Sequence, residues 1–468
     1  MAEELKLEEV VLEEEEDEEE EDFYHHNYSP EENYVEPPEE LIKERMEWFR
    51  DQKLGFMMHW GIYSQLGITE SWGVCDEPWT ARMNTWQKER KDFKREYFDL
   101  NKTFNPIRFN PDEWTQVMAD GGFKYMIFTT KHHDGFCMFD TEYTDYKVTG
   151  KDCPFHTHKY ANVCKELFES GRKRGLAIAT YFSKADWSCP DYWEDRLADG
   201  YDHGRNPSYK VKKNPEKWKR FVDFTRNQIL ELMTKFGRID ILWLDAGWVC
   251  KANKQDIDLG GIVDEARKYQ PWLISADRTV GGPYENYVTP ETIIPEKPMR
   301  IPWESCITIG RSFAYSYSDQ YKSAREILKI LVEIVAKGGN LALNIAPQPD
   351  GRLPQPVIDI LGEFGAWMKA NGDAIYGTRV IEPYRSGDFA FTQKNGNVYA
   401  IMLVESDDTK LEKQVFIPFP EKMSSVALVD GNKELEFECK EDGILVTLPE
   451  CEEACEKAPL ALAFVMKR

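Results

Sequence analysis

The run Ile239-Asp240-Ile241-Leu242-Trp243-Leu244-Asp245 constrains the fold more than any other stretch of the chain. It is largely apolar, follows a helical pattern closed by Gly237, and ends on a carboxylate just before Gly247. Such a run reads as a buried strand of a parallel sheet. Side chains alternate along a strand, so Ile241, Trp243 and Asp245 share one face and Asp240 takes the other. A charge at the carboxyl end of a buried strand is costly unless it is paired or in use. In barrels of alternating strands and helices, active sites sit at that end. Asp245 is therefore the first candidate for chemistry.

The same pattern recurs along the chain. Strand-like runs fall at 55–61, 125–130, 176–182, 272–278, 301–307 and 340–346. Helical patterns fall between them at 110–120, 162–174, 215–236, 260–269 and 318–337, with a last one at 354–370. One-way alternation of this kind predicts an α/β fold, here an irregular (β/α)8-like (TIM-type) barrel over residues 41–375. No Gly-rich dinucleotide or phosphate loop follows any strand, so a doubly wound sheet loses its main support. After residue 376 the pattern changes to short β-type runs separated by turns. These predict a small C-terminal antiparallel β-sandwich over 376–468.

Charge is unevenly placed. The net charge is −24, yet residues 1–22 alone hold 14 Asp/Glu against one Lys. Residues 1–40 therefore read as an acidic, disordered arm. An acidic chain without a basic stripe is a poor nucleic-acid binder. The chain has neither a long apolar span nor an exported leader pattern, so it reads as soluble and cytoplasmic, with no membrane partner. Ten scattered Cys without a CxxC pair read as reduced thiols, although Cys451 and Cys455 are close enough to pair. No cofactor is implied, and a homo-oligomer stays open.

Polar groups recur at the strand ends. His59 closes the first strand, His132 and His133 the second, and Tyr181 the third. Asp245 and Arg278 close the fourth and fifth, and Glu304 lies in the sixth. A barrel brings such groups to one rim. Two carboxylates, several hydrogen-bonding groups and flanking Trp residues fit glycoside hydrolysis. That chemistry needs one carboxylate at the anomeric carbon and one carboxylic acid at the leaving oxygen. A metal-dependent hydrolase is the competing reading, with His59, His132, His133, Asp134 and Asp245 as ligands. Against it, His132 and His133 diverge if the strand conformation persists, and no HExxH is present.

The motifs resemble those of the α-L-fucosidases of glycoside hydrolase family 29. The matching stretches are Gly55-Phe56-Met57-Met58-His59-Trp60-Gly61-Ile62-Tyr63-Ser64, Lys131-His132-His133-Asp134-Gly135-Phe136 and Trp243-Leu244-Asp245-Ala246-Gly247-Trp248. Further matches are Thr144-Asp145, Asp277-Arg278, Thr289-Pro290-Glu291, Trp303-Glu304-Ser305-Cys306 and the run from Gly338 to Pro347. The resemblance implies a retaining exo-α-L-fucosidase that acts on terminal fucose of a glycan through a covalent intermediate. It implies Asp245 as nucleophile and Glu304 as general acid/base, with Glu285, Glu291 and Glu296 as rivals and Glu291 read as structural in its turn. It implies His59, His132, His133, Tyr181, Trp243 and Arg278 as sugar contacts. Glu77 and Trp79, separated by Pro78, resemble its Glu-Trp sugar contact. Burial and the Asp245 charge should keep Glu304 protonated. The alternative from another class is a fucose-binding protein without catalysis.

Overall fold

The computed structural model describes residues 28–75, 77, 90–197, 204–449 and 457–468. Most of the acidic arm, together with Trp79, Cys451 and Cys455, lies outside the described residues. The sequence pattern includes residues 28–39 in the disordered arm, but they are placed against the loop after the fifth strand. Ser29 Oγ donates to Glu285, and the Gly282 amide donates to the Asn33 carbonyl at 3.0 Å.

Strands and helices alternate as the apolar pattern predicts. α1 (Glu40–Gln52) leads into β1 (Leu54–Met58). Then follow α2 (Arg90–Phe98), α3 (Pro111–Asp120), β2 (Tyr125–Lys131), α4 (Val163–Lys173) and β3 (Ala177–Ser183). After these come α5 (Pro215–Lys235), β4 (Ile241–Asp245), α6 (Leu259–Tyr269), β5 (Ile274–Asp277) and β6 (Glu304–Thr308). α7 (Ala324–Ala336), β7 (Asn340–Asn344) and α8 (Gln355–Asn371) complete the series. α7 starts later than the apolar spacing suggested, because Ser323 and Glu326 form a reciprocal capping box that sets its first turn.

The seven strands form one parallel sheet in the order β5-β4-β3-β2-β1-β7-β6. β5 and β6 do not pair with each other. The irregular segment 285–292 stands between them, bridging Ala276 through Glu285, Trp303 through Val288 and Cys306 through Glu291. The Cys306 amide donates to the Pro290 carbonyl at 3.0 Å. This segment closes the curled sheet into the barrel-like ring expected from the alternation. It carries no continuous apolar run, so nothing in the local pattern marks it as a member of the ring.

Strand alternation sorts side chains into two layers. Met57, Tyr125, Ile127, Tyr181, Trp243 and Cys306 fill the barrel interior. Phe56, Met126, Phe128, Leu242, Leu244 and Leu341 face the helices. Gly55 is needed inside, because a Cβ there would stand 2.3 Å from the Tyr125 ring.

Eight further strands follow: β8 (Arg379–Ser386), β9 (Phe389–Lys394), β10 (Asn397–Leu403), β11 (Gln414–Ile417), β12 (Ser425–Leu428), β13 (Glu436–Cys439), β14 (Ile444–Thr447) and β15 (Ala461–Lys467). They form an antiparallel sheet in the order β12-β15-β10-β9-β8 and a second in the order β11-β14-β13. Phe391, Ile417, Val446 and Phe464 fill the space between them. β8 escaped the strand pattern because Pro383 interrupts it, which is tolerated at a sheet edge. Trp367 of α8 donates its indole N–H to the Ala461 carbonyl at 2.9 Å, tying the barrel to the sandwich. No helix among the described residues is long and apolar enough to cross a membrane.

Candidate active site

Asp245 is the last residue of β4, and Trp243 lies beneath it on the same inward face. Tyr181 on the neighbouring β3 is registered with Trp243 and stacks on it, with ring centroids 5.1 Å apart. The Tyr181 hydroxyl donates to Asp245 Oδ2. Arg278, just past β5, donates from Nη1 to Asp245 Oδ1 at 3.1 Å, and the Ala246 amide adds a bond at 2.8 Å. Burial by itself would raise the Asp245 carboxyl. The Arg278 charge and the Tyr181 and Ala246 hydrogen bonds outweigh it and hold the group well below the usual carboxylate range. The group is ionised at neutral pH.

Three buried imidazoles surround this carboxylate. Asn344 Nδ2 donates to the Phe313 carbonyl at 2.8 Å, which leaves its Oδ1 to accept from His59 Nδ1 at 2.8 Å. Ser183 donates to the Ala185 carbonyl, so its oxygen accepts from His133 Nδ1 at 2.7 Å. Both rings therefore carry the proton on Nδ1 and leave Nε2 as an acceptor. His133 Nε2 lies 3.8 Å from Asp245 Oδ2. His132 Nδ1 meets Ser71 Oγ at 2.6 Å. Burial lowers all three, His59 and His133 to about 4, so the rings are neutral near pH 7. They can read sugar hydroxyls without titrating.

His132 and His133 do not diverge as a straight strand would require. The β2–β3 register shifts between Thr129 and Lys131, and the two rings end 4.1 Å apart. Nitrogen atoms of both lie within 4.8 Å of each other and of an Asp245 oxygen. Asp134 turns away, accepting from the Tyr97 hydroxyl at 2.6 Å and the Phe136 amide at 3.1 Å.

Glu304 does not face Asp245. It is the first residue of β6, with 0% exposure, whereas Asp245 ends β4. Its carboxylate accepts from the Tyr125 hydroxyl and from Trp243 Nε1 at 3.1 Å. Tyr125 opens β2, while Thr129, four residues further along β2, is level with Tyr181. At roughly 3.3 Å per residue, Glu304 belongs to a layer below the Trp243 floor. A carboxylate that does share the rim is Glu291, which bridges to Cys306, two residues beyond Glu304. Arg278 Nη2 grips Glu291 Oε2 while Nη1 holds Asp245. The Glu291 side chain is 38% exposed. Its neighbours Thr289 and Pro290 gave it the sequence signature of a turn, which concealed its place in the ring.

Burial pushes Glu304 up to about 7, against the lowering effect of its hydrogen bonds. A folded carboxyl raised above its unfolded value of about 4.3 stabilises fully below that value and loses this contribution as pH rises through 7. Glu304→Gln should therefore gain thermal stability relative to the parent between pH 5 and pH 8. Parallel melting-curve shifts for the two proteins across that window would contradict the raised value.

Three pocket residues escaped the strand-end reasoning because none of them sits at a strand end. Glu70 is buried, and its Oε1 accepts from the Ala314 amide at 2.7 Å. Burial first, and in smaller part the Asp245 charge, push Glu70 up to about 7. Its φ of 28° is unusual for a residue other than glycine, and such backbone strain concentrates at functional sites. The Trp72 ring lies 4.9 Å from His133, and the Phe313 ring 5.0 Å from His59. The Glu70-Ser71-Trp72 triplet lies nearer to β1 than Glu77, and that closeness was the available signal. Glu77 instead accepts from the Arg205 amide at 3.0 Å and anchors the segment at 204–206.

Residues 23–373 match the family described as Alpha-L-fucosidase. The chain belongs to the α-L-fucosidase family. It is a glycoside hydrolase. An α-L-fucosidase of Dictyostelium discoideum is 28% identical over 386 residues, which span 77% of this chain and 78% of its own. The α-L-fucosidase isoenzyme 1 of Paenibacillus thiaminolyticus is 26% identical, covers 91% of this chain and 99% of that one, and superposes with a TM-score of 0.73. The α-fucosidase of Thermotoga maritima, solved in complex with fucose, is 26% identical, covers 92% of this chain and 100% of that one, and has a TM-score of 0.70.

Proposed function

We propose that this fucosidase removes terminal α-L-fucose from glycans with retention of configuration, through a covalent fucosyl intermediate on Asp245. The observation that carries this reading is the shared grip of Arg278 on two rim carboxylates, Asp245 and Glu291. Two carboxylates bound to opposite terminal nitrogens of one guanidinium lie close together, in keeping with the roughly 5–5.5 Å of a retaining pair. Asp245, held ionised, attacks the anomeric carbon as the glycosidic bond breaks. Glu291, protonated once the bound glycan draws it off Arg278, donates the proton that the leaving oxygen needs and then takes one from the water that releases fucose.

The remaining groups position the sugar. Neutral His59, His132 and His133, with Glu70 and Tyr181, offer hydrogen bonds to its hydroxyls. Trp243, Trp72 and Phe313 enclose its apolar face. The fucose bound to the Thermotoga maritima relative supports this reading of the pocket.

The converging His132, His133 and Asp245 favour one second reading, a metal-dependent hydrolase. Against it stands the Arg278 cation, which already holds the same carboxylate through Oδ1 at 3.1 Å. The deciding measurement follows the anomer of freshly released fucose by NMR, with and without a chelator. The α anomer should appear first at an undiminished rate. Release of the β anomer would exclude retention, and loss of turnover with the chelator would favour the metal.

A further inference from the structure

A cleft of about 510 Å³ opens on the same rim as Asp245, between the segment after β6, the loop after β7 and the first turns of α3 and α8. Pockets for small ligands span roughly 300–1,000 Å³. One wall is aromatic, made by Tyr315, Tyr317 and Tyr321.

This wall is the far side of a segment already fixed to the fucose pocket. Phe313 faces His59, and its carbonyl accepts from Asn344 Nδ2. The Ala314 amide is held by Glu70. The next residue, Tyr315, lines the cleft, so the fucose pocket and the cleft are separated by one turn of a shared loop.

Tyr317 stands as an ordered platform. It is 66% exposed, the highest value of any large hydrophobic side chain among the described residues. Its hydroxyl nevertheless donates to the Gln65 carbonyl at 3.1 Å, and Tyr315 packs edge-on against it with ring centroids 5.2 Å apart. Gly67 allows the ring to lie close, since a Cβ there would come within 2.7 Å of it. A fixed aromatic face exposed to water is unfavourable unless something apolar covers it.

We propose that this cleft binds neutral pyranose rings of the glycan that carries the fucose, which rests on the fucosidase reading above. The C–H face of a pyranose covers a tyrosine ring, and its hydroxyls can donate to Glu113, Asp319 and Gln348 on the cleft walls. Charge selects against anionic sugars. Glu113 and Asp319 are acidic, and the one guanidinium that lines the cleft, Arg352, is neutralised by Asp350 at 2.7 Å.

The test compares two substrates, a nitrophenyl α-L-fucoside and a neutral fucosylated oligosaccharide. Tyr317→Ala and Tyr321→Ala should each lower kcat/KM for the oligosaccharide about tenfold, mainly through KM, because lost ground-state binding raises KM. Turnover of the nitrophenyl fucoside should stay at the parent's level and shows that the variants are folded. Unchanged oligosaccharide kinetics in both variants, or equal losses on both substrates, would overturn the cleft assignment. A parent inert towards both substrates would instead remove the fucosidase reading, and the cleft proposal with it.

Discussion

Asp245→Gly is expected to lose on the order of 10³-fold or more of its turnover of a nitrophenyl α-L-fucoside, while its melting temperature stays within a few degrees of the parent's. The loss follows from geometry. Arg278, Tyr181 and the Ala246 amide all converge on this carboxylate at the end of β4. Removing the side chain leaves a cavity beneath the sugar that a small anion can enter. Azide in that cavity should attack the anomeric carbon from the vacated face, with Glu291 still able to protonate the leaving group. The product should be the β-fucosyl azide. Turnover near the parent's level in Asp245→Gly would remove Asp245 from the chemistry.

Glu291→Ala should cost roughly 10²–10⁴-fold on natural glycans, the usual contribution of general acid–base catalysis. A nitrophenolate leaves without a proton, so this variant should still form the fucosyl intermediate from the aryl substrate and release a burst of nitrophenol. Release from the enzyme then becomes slow, and azide should accelerate it by attacking from the opposite face. The product here should be the α-fucosyl azide. The anomer therefore reports which carboxylate was removed. Glu304→Gln should retain most of its turnover on both substrates, since that group lies below Trp243 and accepts from Trp243 and Tyr125 in the interior. A parent-like Glu291→Ala together with an inactive Glu304→Gln would return the acid/base role to Glu304.

The strands of the barrel were legible because each is an apolar run with a defined parity, as in Ile241, Trp243 and Asp245 against Asp240. Asp240 indeed lies away from the pocket, accepting from Arg45 and Arg238 at 2.9 Å each. The segment 285–292 was not legible as part of the ring. Its backbone bonds two different neighbours in two directions, and its side chains show no period of two. Glu291 was consequently read as a turn residue. Glu304, in a regular strand beside a Trp, looked the better acid. Glu70, Trp72 and Phe313 were missed for a related reason. They reach the pocket from segments outside the strands, where spacing carries no directional information.

The sequence by itself determined the order of strands and helices, the face each strand turns inward, and Asp245 as the polar end of β4. These are local properties, set by hydrophobic periodicity and strand parity. Only the tertiary structure decided which second carboxylate shares the rim with Asp245. Height along a barrel axis depends on register between strands far apart in the chain. It is that register which sets Glu304 beneath the Trp243 floor and brings Glu291 to the second terminal nitrogen of Arg278.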